Sequence, residues 1–184
     1  MKVSSEAAKK AKKIKLIILD VDGVLTDGRI SFNSKNEEFK SFDVKDGHGI
    51  KLAQRSGIKF AIITGRWSPI VEKRGRELEI SEIHQNAIDK LKVFNEVLKK
   101  FELKNEEVAY IGDDIVDIPV LKRVGLAATV ADAFDYVKKE AHYITKLKGG
   151  RGAVRELIDF ILKKQNRWND LTRRYYRKDG EEIE

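Results

Sequence analysis

The stretch "LIILDVDGVLTDG" (Leu16 to Gly28) ends an apolar run in two acids, Asp20 and Asp22, with one valine between them. A short apolar run bounded this way reads as a buried strand, so one strand end delivers two carboxylates to one point. Other reactive residue types stand at comparable places. Thr64, Gly65 and Arg66 close "IKFAIITG" and its continuation, Lys90 lies in "NAIDKLKVFNEVLKKFEL", and Asp113 closes "EEVAYIGD" with Asp114 next and Asp117 a helical turn further on. Clustered carboxylates repel one another and need a cation, and an all-oxygen set suits Mg²⁺. A metal holds Asp20 ionised and binds a phosphoryl oxygen. Asp20 can then attack phosphorus to give an aspartyl phosphate. Asp22, past a turn, can protonate the leaving oxygen and afterwards deprotonate the hydrolytic water. Thr64 and nearby backbone N–H groups can hold the phosphoryl group, and Lys90 can neutralise its charge and that of Asp20. Gly23 lets the chain turn tightly beside the metal.

Each element has a blander reading. Asp and Gly favour turns, so "DVDG" alone would be a strand-to-turn cap. "ITGR" alone would be a turn before a helix. A lysine on a helix is usually solvated, and only the order of the motifs singles out Lys90. Acids at a helix start, as in "DDIVD", suit the helix dipole, and this stretch lacks the ligand alternation of a calcium loop. His84 and His142 sit in or beside short apolar strands and read as structural. Lys51, Arg66 and Arg74 could be surface charges.

These residues converge only if the elements carrying them do. After "IKLIILD", the segment "GRISFNSKNEEFKSFDVKDG" reads as a hairpin with a polar turn at Ser34 to Asn36. Strands and helices then alternate. "HGIKLAQRSG" reads as a helix ending at Gly57, "SPIVEKRGRELE" as a helix capped by Ser68 and Pro69, and "DIVDIPVLKRVG", "AFDYVKKEA" and "GAVRELIDFILKKQ" as further helices. Strands are read at "IKFAIITG", "ISEIHQ", "EEVAYIGD", "LAATV" and "HYIT". Alternation predicts an α/β fold, a doubly wound parallel sheet covered on both faces, whose chemistry sits at the carboxyl ends of the strands.

The 184 residues suffice for one domain with a real core. There is no cysteine, which excludes disulfides and thiolate metal sites. No stretch is apolar for long enough to span a membrane. The basic start "MKVSSEAAKKAKKIK" reads as a short amphipathic helix, not a targeting peptide, and a cytoplasmic protein is expected. The net charge of +7 suggests nucleic acid. Yet 30 acids are mixed with 37 bases, which equally fits a salt-bridged surface or an anionic substrate such as a phosphate ester.

In order and spacing, "DVDGVLTDG", "ITGR", Lys90 and "GDDIVD" resemble the four motifs of the haloacid dehalogenase (HAD) superfamily of phosphohydrolases. From about Ile14 to Leu162 the chain is similar to the capless 3-deoxy-D-manno-octulosonate 8-phosphate (KDO 8-phosphate) phosphatases, through these motifs, the hairpin, "DVKDGHGIKLAQRSGI" and "GGRGAVRE". The resemblance implies a HAD-like, Rossmann-like domain over 1–164 with a hairpin insert at about 29–44, no cap domain, and a C-terminal tail at 165–184. It implies hydrolysis of KDO 8-phosphate for lipopolysaccharide synthesis, with Mg²⁺ as cofactor. It implies a homotetramer whose hairpins meet at the centre and whose neighbouring subunits help close each site. A partner subunit would exclude water where a cap is missing.

The same resemblance implies roles. Asp20 is the nucleophile and a metal ligand, Asp22 the acid/base with its backbone carbonyl on the metal, and Asp113 the third protein ligand. Asp114 and Asp117 are supports, Asp114 close to substrate, and Lys90 is the motif lysine. Substrate contacts fall on Asp22, Asp43, Val44, Lys45, Asp46, Gly47, Lys51, Arg66, Arg74, Lys90 and Asp114. Lys51 stands where an arginine is expected, and His48 where an aromatic is common; His48 is given no catalytic role. Arg66 favours an eight-carbon sugar acid over a nine-carbon ulosonate 9-phosphate, whose phosphatases tend to carry an acid there. "GGRG" (Gly149 to Gly152) could offer amides to an anion, and Trp67 could line the mouth of the site. The tail mixes Arg173, Arg174 and Arg177 with Tyr175 and Tyr176. That mixture suits RNA, but no nucleic-acid module accompanies it, and the resemblance favours a lid over a neighbouring site or a disordered end. No nucleic-acid or membrane partner is expected. A non-catalytic scaffold on this fold is the remote alternative, against which the retained acids argue.

Overall fold

Four consecutive buried residues, Leu16–Leu19, form the strand around which the sheet is built. The computed structural model describes residues 5–176. In chain order its helices and strands are α1 (Ser5–Ala11), β1 (Leu16–Leu19), β2 (Ser31–Phe32), β3 (Glu38–Phe39), α2 (Val44–Arg55), β4 (Lys59–Ile63), α3 (Pro69–Glu77), β5 (Glu82–His84), α4 (Lys90–Phe101), β6 (Val108–Gly112), α5 (Ile118–Leu121), β7 (Leu126–Thr129), α6 (Asp135–Lys138), β8 (Tyr143–Ile144), α7 (Ala153–Lys164) and α8 (Trp168–Thr172).

Six strands pair in parallel in the order β5-β4-β1-β6-β7-β8. A parallel sheet must be covered on both faces, and β1, β6 and β7 are buried along their whole length. Right-handed crossovers put α2 and α3 on one face and α4, α5 and α6 on the other. Accordingly α2 packs against α7, and α4 against α5. The strand order reverses at β1, so the crevice expected of such sheets opens beyond Leu19, between the ends of β4 and β6. The β2–β3 hairpin stands apart from this sheet as a two-stranded antiparallel pair. The segment between β1 and α2 holds no cap domain.

Boundaries moved where side chains cap. Helix α2 starts at Val44, earlier than the spacing predicts, because the Asp43 carboxylate accepts from Lys45 N at 2.7 Å. It ends as predicted at Gly57 (φ +85°), where Gly57 N and Ile58 N reach back to the carbonyls of Gln54 and Ala53. Helix α4 starts later than Asn86, because Asp89 caps it and Lys90 becomes its first residue. "DIVDIPVLKRVG" splits into a 3-10 turn at Ile115–Asp117 and the single turn of α5, with Pro119 early in it. The first part of the 165–184 stretch packs back onto its own chain. Trp168 and Leu171 pack against the core, and Lys163 Nζ stands 4.6 Å above the Trp168 ring. Residues 177–184 of the tail, Arg177 included, lie outside the described residues. Among the described residues no helix is long and apolar enough to cross a membrane.

Candidate active site

Three strand ends converge as the motifs predict. An open cavity of about 470 Å³ is lined by Asp20, Asp22, Thr64, Arg66, Lys90, Asp113 and Asp114. Asp20 and Asp22 follow β1, Thr64 to Arg66 follow β4, and Asp113 and Asp114 follow β6. Lys90 enters from the first turn of α4. It is almost fully buried, its Nζ 2.9 Å from Asp20 Oδ2 and 2.6 Å from Asp117 Oδ1. A buried lysine with two carboxylate partners is not a solvated helix lysine.

Asp117 has no solvent exposure, and its oxygens are fully engaged. Oδ1 accepts from Lys90 and from the Tyr110 hydroxyl at 2.6 Å, and Oδ2 from the amides of Asp113 and Asp114 at 3.0 and 3.1 Å. It is therefore the brace that fixes the loop after β6 and the head of Lys90. Tyr110 was missed in the sequence, where it is one more apolar position of a strand.

Oxygens of Asp20, Asp113 and Asp117 lie within 4.8 Å of one another. Burial, and then the charge of Asp117, push the Asp20 carboxyl up to about 8 against the pull of Lys90. Burial and the charges of Asp117 and Asp114 push Asp113 up to about 7. Burial pushes Lys90 down, yet Asp20 and Asp117 outweigh it and hold the ammonium above its ordinary range. One lysine thus serves too many acids. Asp117 is already saturated, so Asp20 and Asp113 are the carboxylates left short of positive charge, and a hard divalent cation with oxygen ligands fits this deficit. The Asp22 carboxylate is turned away from the cluster, onto the ammonium of Lys40. The Asp22 carboxylate is not among the oxygens gathered there, which are those of Asp20, Asp113 and Asp117.

Asp114 Oδ1 accepts from Ile115 N at 2.7 Å and from the Tyr136 hydroxyl at 3.1 Å. Thr64 is buried, its amide on His84 O and its carbonyl accepting from Ala87 N. Arg66 reaches the cavity with its guanidinium 3.1 Å from Glu38 Oε1. Lys40 and Glu38 were also missed, because the hairpin reads as a polar ribbon. Their signal was the alternation Glu38, Phe39, Lys40.

The remaining expected substrate contacts do not reach this cavity within one chain. Asp43, Val44 and Lys45 line a second depression with Asp27, Phe42 and Arg151. Asp46 is buried and accepts from Arg155 N at 2.7 Å. Gly47 lies under Arg74, whose Nη2 would be 2.4 Å from a Cβ there. Arg74 itself pairs with Glu77 and Lys51 with Glu79. Three of the four "GGRG" amides are spent on the protein: Gly149 N on Asp132, Gly150 N on Val24 O and Arg151 N on Lys148 O. That corrects the idea of an anion site. His142 Nδ1 accepts from Ala127 N, a structural role as expected. Trp67 is exposed.

A doubly wound sheet with a carboxylate pair after its first strand, and a lysine and further acids at its other strand ends, defines a HAD-type hydrolase. The model of the haloacid dehalogenase-like hydrolase family matches residues 75–158. The KDO 8-phosphate phosphatase of Yersinia pestis is 45% identical over 170 residues, 92% of this chain and 91% of the relative. That of Escherichia coli K12 is 46% identical over 168 residues, 91% and 89%. A crystal structure of the Moraxella catarrhalis enzyme with magnesium, phosphate and KDO superposes with a TM-score of 0.90 at 42% identity, covering 92% of this chain and 98% of that one. The cobalt-bound Haemophilus influenzae enzyme gives a TM-score of 0.84 at 39% identity over 87% and 94%. The chain belongs to the KDO 8-phosphate phosphatase family.

Proposed function

We propose that this chain hydrolyses KDO 8-phosphate to KDO and phosphate through a phosphoryl group carried on Asp20. The carrying observation is the buried Lys90 ammonium between Asp20 and Asp117, beside an under-neutralised Asp113. Asp20 and Asp113, with the Asp22 carbonyl, would hold Mg²⁺. Bound Mg²⁺ supplies the charge that keeps Asp20 ionised and polarises the phosphoryl group.

The chain's own groups do the rest. Asp20 attacks phosphorus as Asp22 protonates the departing 8-oxygen; Asp22 then takes a proton from the water that cleaves the acyl phosphate. Lys90 and Thr64 bind the transferring oxygens. Asp117 holds Lys90, and Asp114 borders the sugar. Arg66 binds the substrate carboxylate as a planar fork.

Asp43 to Gly47, Lys51 and Arg74 serve the site of a neighbouring subunit, which is why they lie apart from Asp20 in one chain. The assembly is a homotetramer joined through the hairpin, where Ile30, Phe32 and Phe39 are exposed. Residues 1–164 act as one catalytic domain and 165–184 as a tail. The reaction belongs to lipopolysaccharide synthesis and takes place in the cytoplasm.

Phosphate release is measured on KDO 8-phosphate, a nine-carbon ulosonate 9-phosphate and an aryl phosphate, with and without Mg²⁺. Strong preference for KDO 8-phosphate with Mg²⁺ supports the reading. Preference for the nine-carbon acid overturns the substrate, and no metal-dependent turnover overturns the reaction.

A further inference from the structure

Lys40 follows β3 and has the least exposed cationic head of the hairpin. Its side chain is 1% exposed. Burying an ammonium is costly unless anions meet it, and two do: Asp22 Oδ1, in direct contact, and Glu38 Oε1 at 3.6 Å. Glu38 Oε1 also holds Arg66 at 3.1 Å. A charge chain through Lys40 and Glu38 therefore joins Asp22 to Arg66, two residues that line the cavity. Strand alternation builds it, turning Glu38 and Lys40 inward and leaving Phe39 between them exposed.

We infer that Lys40 is a positioning residue for Asp22. The inference rests on the reading of Asp22 as the acid/base. Among the described residues Lys40 is the side chain that meets the Asp22 carboxylate, and its ammonium sets that carboxylate's direction. Lys40 engages Oδ1, so Oδ2 is the oxygen that would exchange the proton with the leaving group. When the Asp20–phosphorus bond forms and the phosphorus–O8 bond breaks, the proton on Asp22 passes to O8. When water then attacks phosphorus and the Asp20–phosphorus bond breaks, Asp22 takes the water proton. Lys40 touches neither substrate nor phosphorus. Its loss should be felt only where proton transfer by Asp22 matters.

That predicts leaving-group selectivity. A sugar alkoxide needs the proton to depart, while a nitrophenolate does not. Lys40→Met is compared with the unsubstituted chain, in Mg²⁺, on KDO 8-phosphate and p-nitrophenyl phosphate. Thermal melting verifies the fold, and Lys40→Gln replaces it if Lys40→Met does not fold. The expected result is a fall in kcat/KM of about 10-fold or more on the sugar phosphate and less than about threefold on the aryl phosphate. In an Asp22→Asn background, Lys40→Met should change the nitrophenolate burst less than about twofold, because the two residues act as one unit. Equal losses on both substrates, or a further loss in the Asp22→Asn background, would overturn the inference and place Lys40 on the substrate or the fold. If the unsubstituted chain turns over neither ester with metal, the parent reading fails and this one with it. An active unsubstituted chain with an unselective Lys40→Met defeats this inference alone.

Discussion

Gly23 and Asp113 occupy adjoining space: a Cβ on Gly23 would stand 2.0 Å from Asp113 Oδ2. Gly23 also holds φ +86°, in the left-handed region where a side chain costs roughly 1–2 kcal/mol. The loop after β1 and the loop after β6 therefore fit only with glycine here. Gly23→Ala should displace Asp113 and weaken Mg²⁺ binding at least about 10-fold, as support changes at metal sites do. Titration calorimetry with Mg²⁺ measures this, and unchanged affinity would show that Asp113 is not a ligand.

Lys90 is the sole ammonium touching Asp20 and Asp117 among the described contacts. Lys90→Met leaves two buried carboxylates without it. Breaking a buried pair costs about 3–5 kcal/mol, or roughly 6–20 °C in Tm for a chain of this size. Melting without metal measures the loss. A melting point within about 2 °C of the parent would show that Lys90 does not hold these acids.

Asp46 gives a pH dependence away from the metal cluster. Burial first, then the nearby charge of Asp43, push its carboxyl up to about 6 from an ordinary 3.8, against the amides of Arg155 and Gly152 and the Arg155 charge. The folded chain thus holds this proton more tightly than the unfolded one. The associated stability is present below the ordinary value and is lost as pH rises through about 6. The gap corresponds to roughly 3 kcal/mol. Asp46→Asn keeps an acceptor for Arg155 N and cannot ionise, so its stability relative to the parent should rise by up to about that amount between pH 4 and pH 8. Urea unfolding of both chains across that range checks it. A flat difference would mean that Asp46 titrates normally.

The hairpin prediction concerns assembly. Phe32 and Phe39 are each more than half exposed, and charges placed there should break a hairpin-centred tetramer. Phe32→Asp with Phe39→Asp should elute as a smaller species by light scattering and lose turnover of KDO 8-phosphate. Retention of a tetramer would move the interface elsewhere.

What could be read in the sequence was what one strand carries by itself. Leu16–Leu19, Lys59–Ile63 and Val108–Gly112 are apolar runs ending in Asp20, Thr64 and Asp113, so the sheet and the site's floor followed from local pattern. The rest depended on partners far along the chain. Lys90 differs from Lys92 only in the two acids it meets, 70 and 27 positions away in numbering. Tyr110 looks like any strand residue until its hydroxyl finds Asp117. The hairpin reading ran on through Asp43 to Gly47, while the Asp43 carboxylate caps Lys45 N and makes this stretch the start of α2. Lys40 has no local signal beyond a two-residue alternation, because its burial comes from the closing of the hairpin over Asp22.

The proposed reaction stands or falls with a phosphoryl group carried on Asp20. The most direct test is an acid quench within milliseconds of mixing the enzyme with Mg²⁺ and ³²P-labelled KDO 8-phosphate, followed by mapping of covalent label. Acid-stable label is expected on Asp20 in the parent chain and none in Asp20→Asn. Turnover without covalent label, or label that survives in Asp20→Asn, would contradict it.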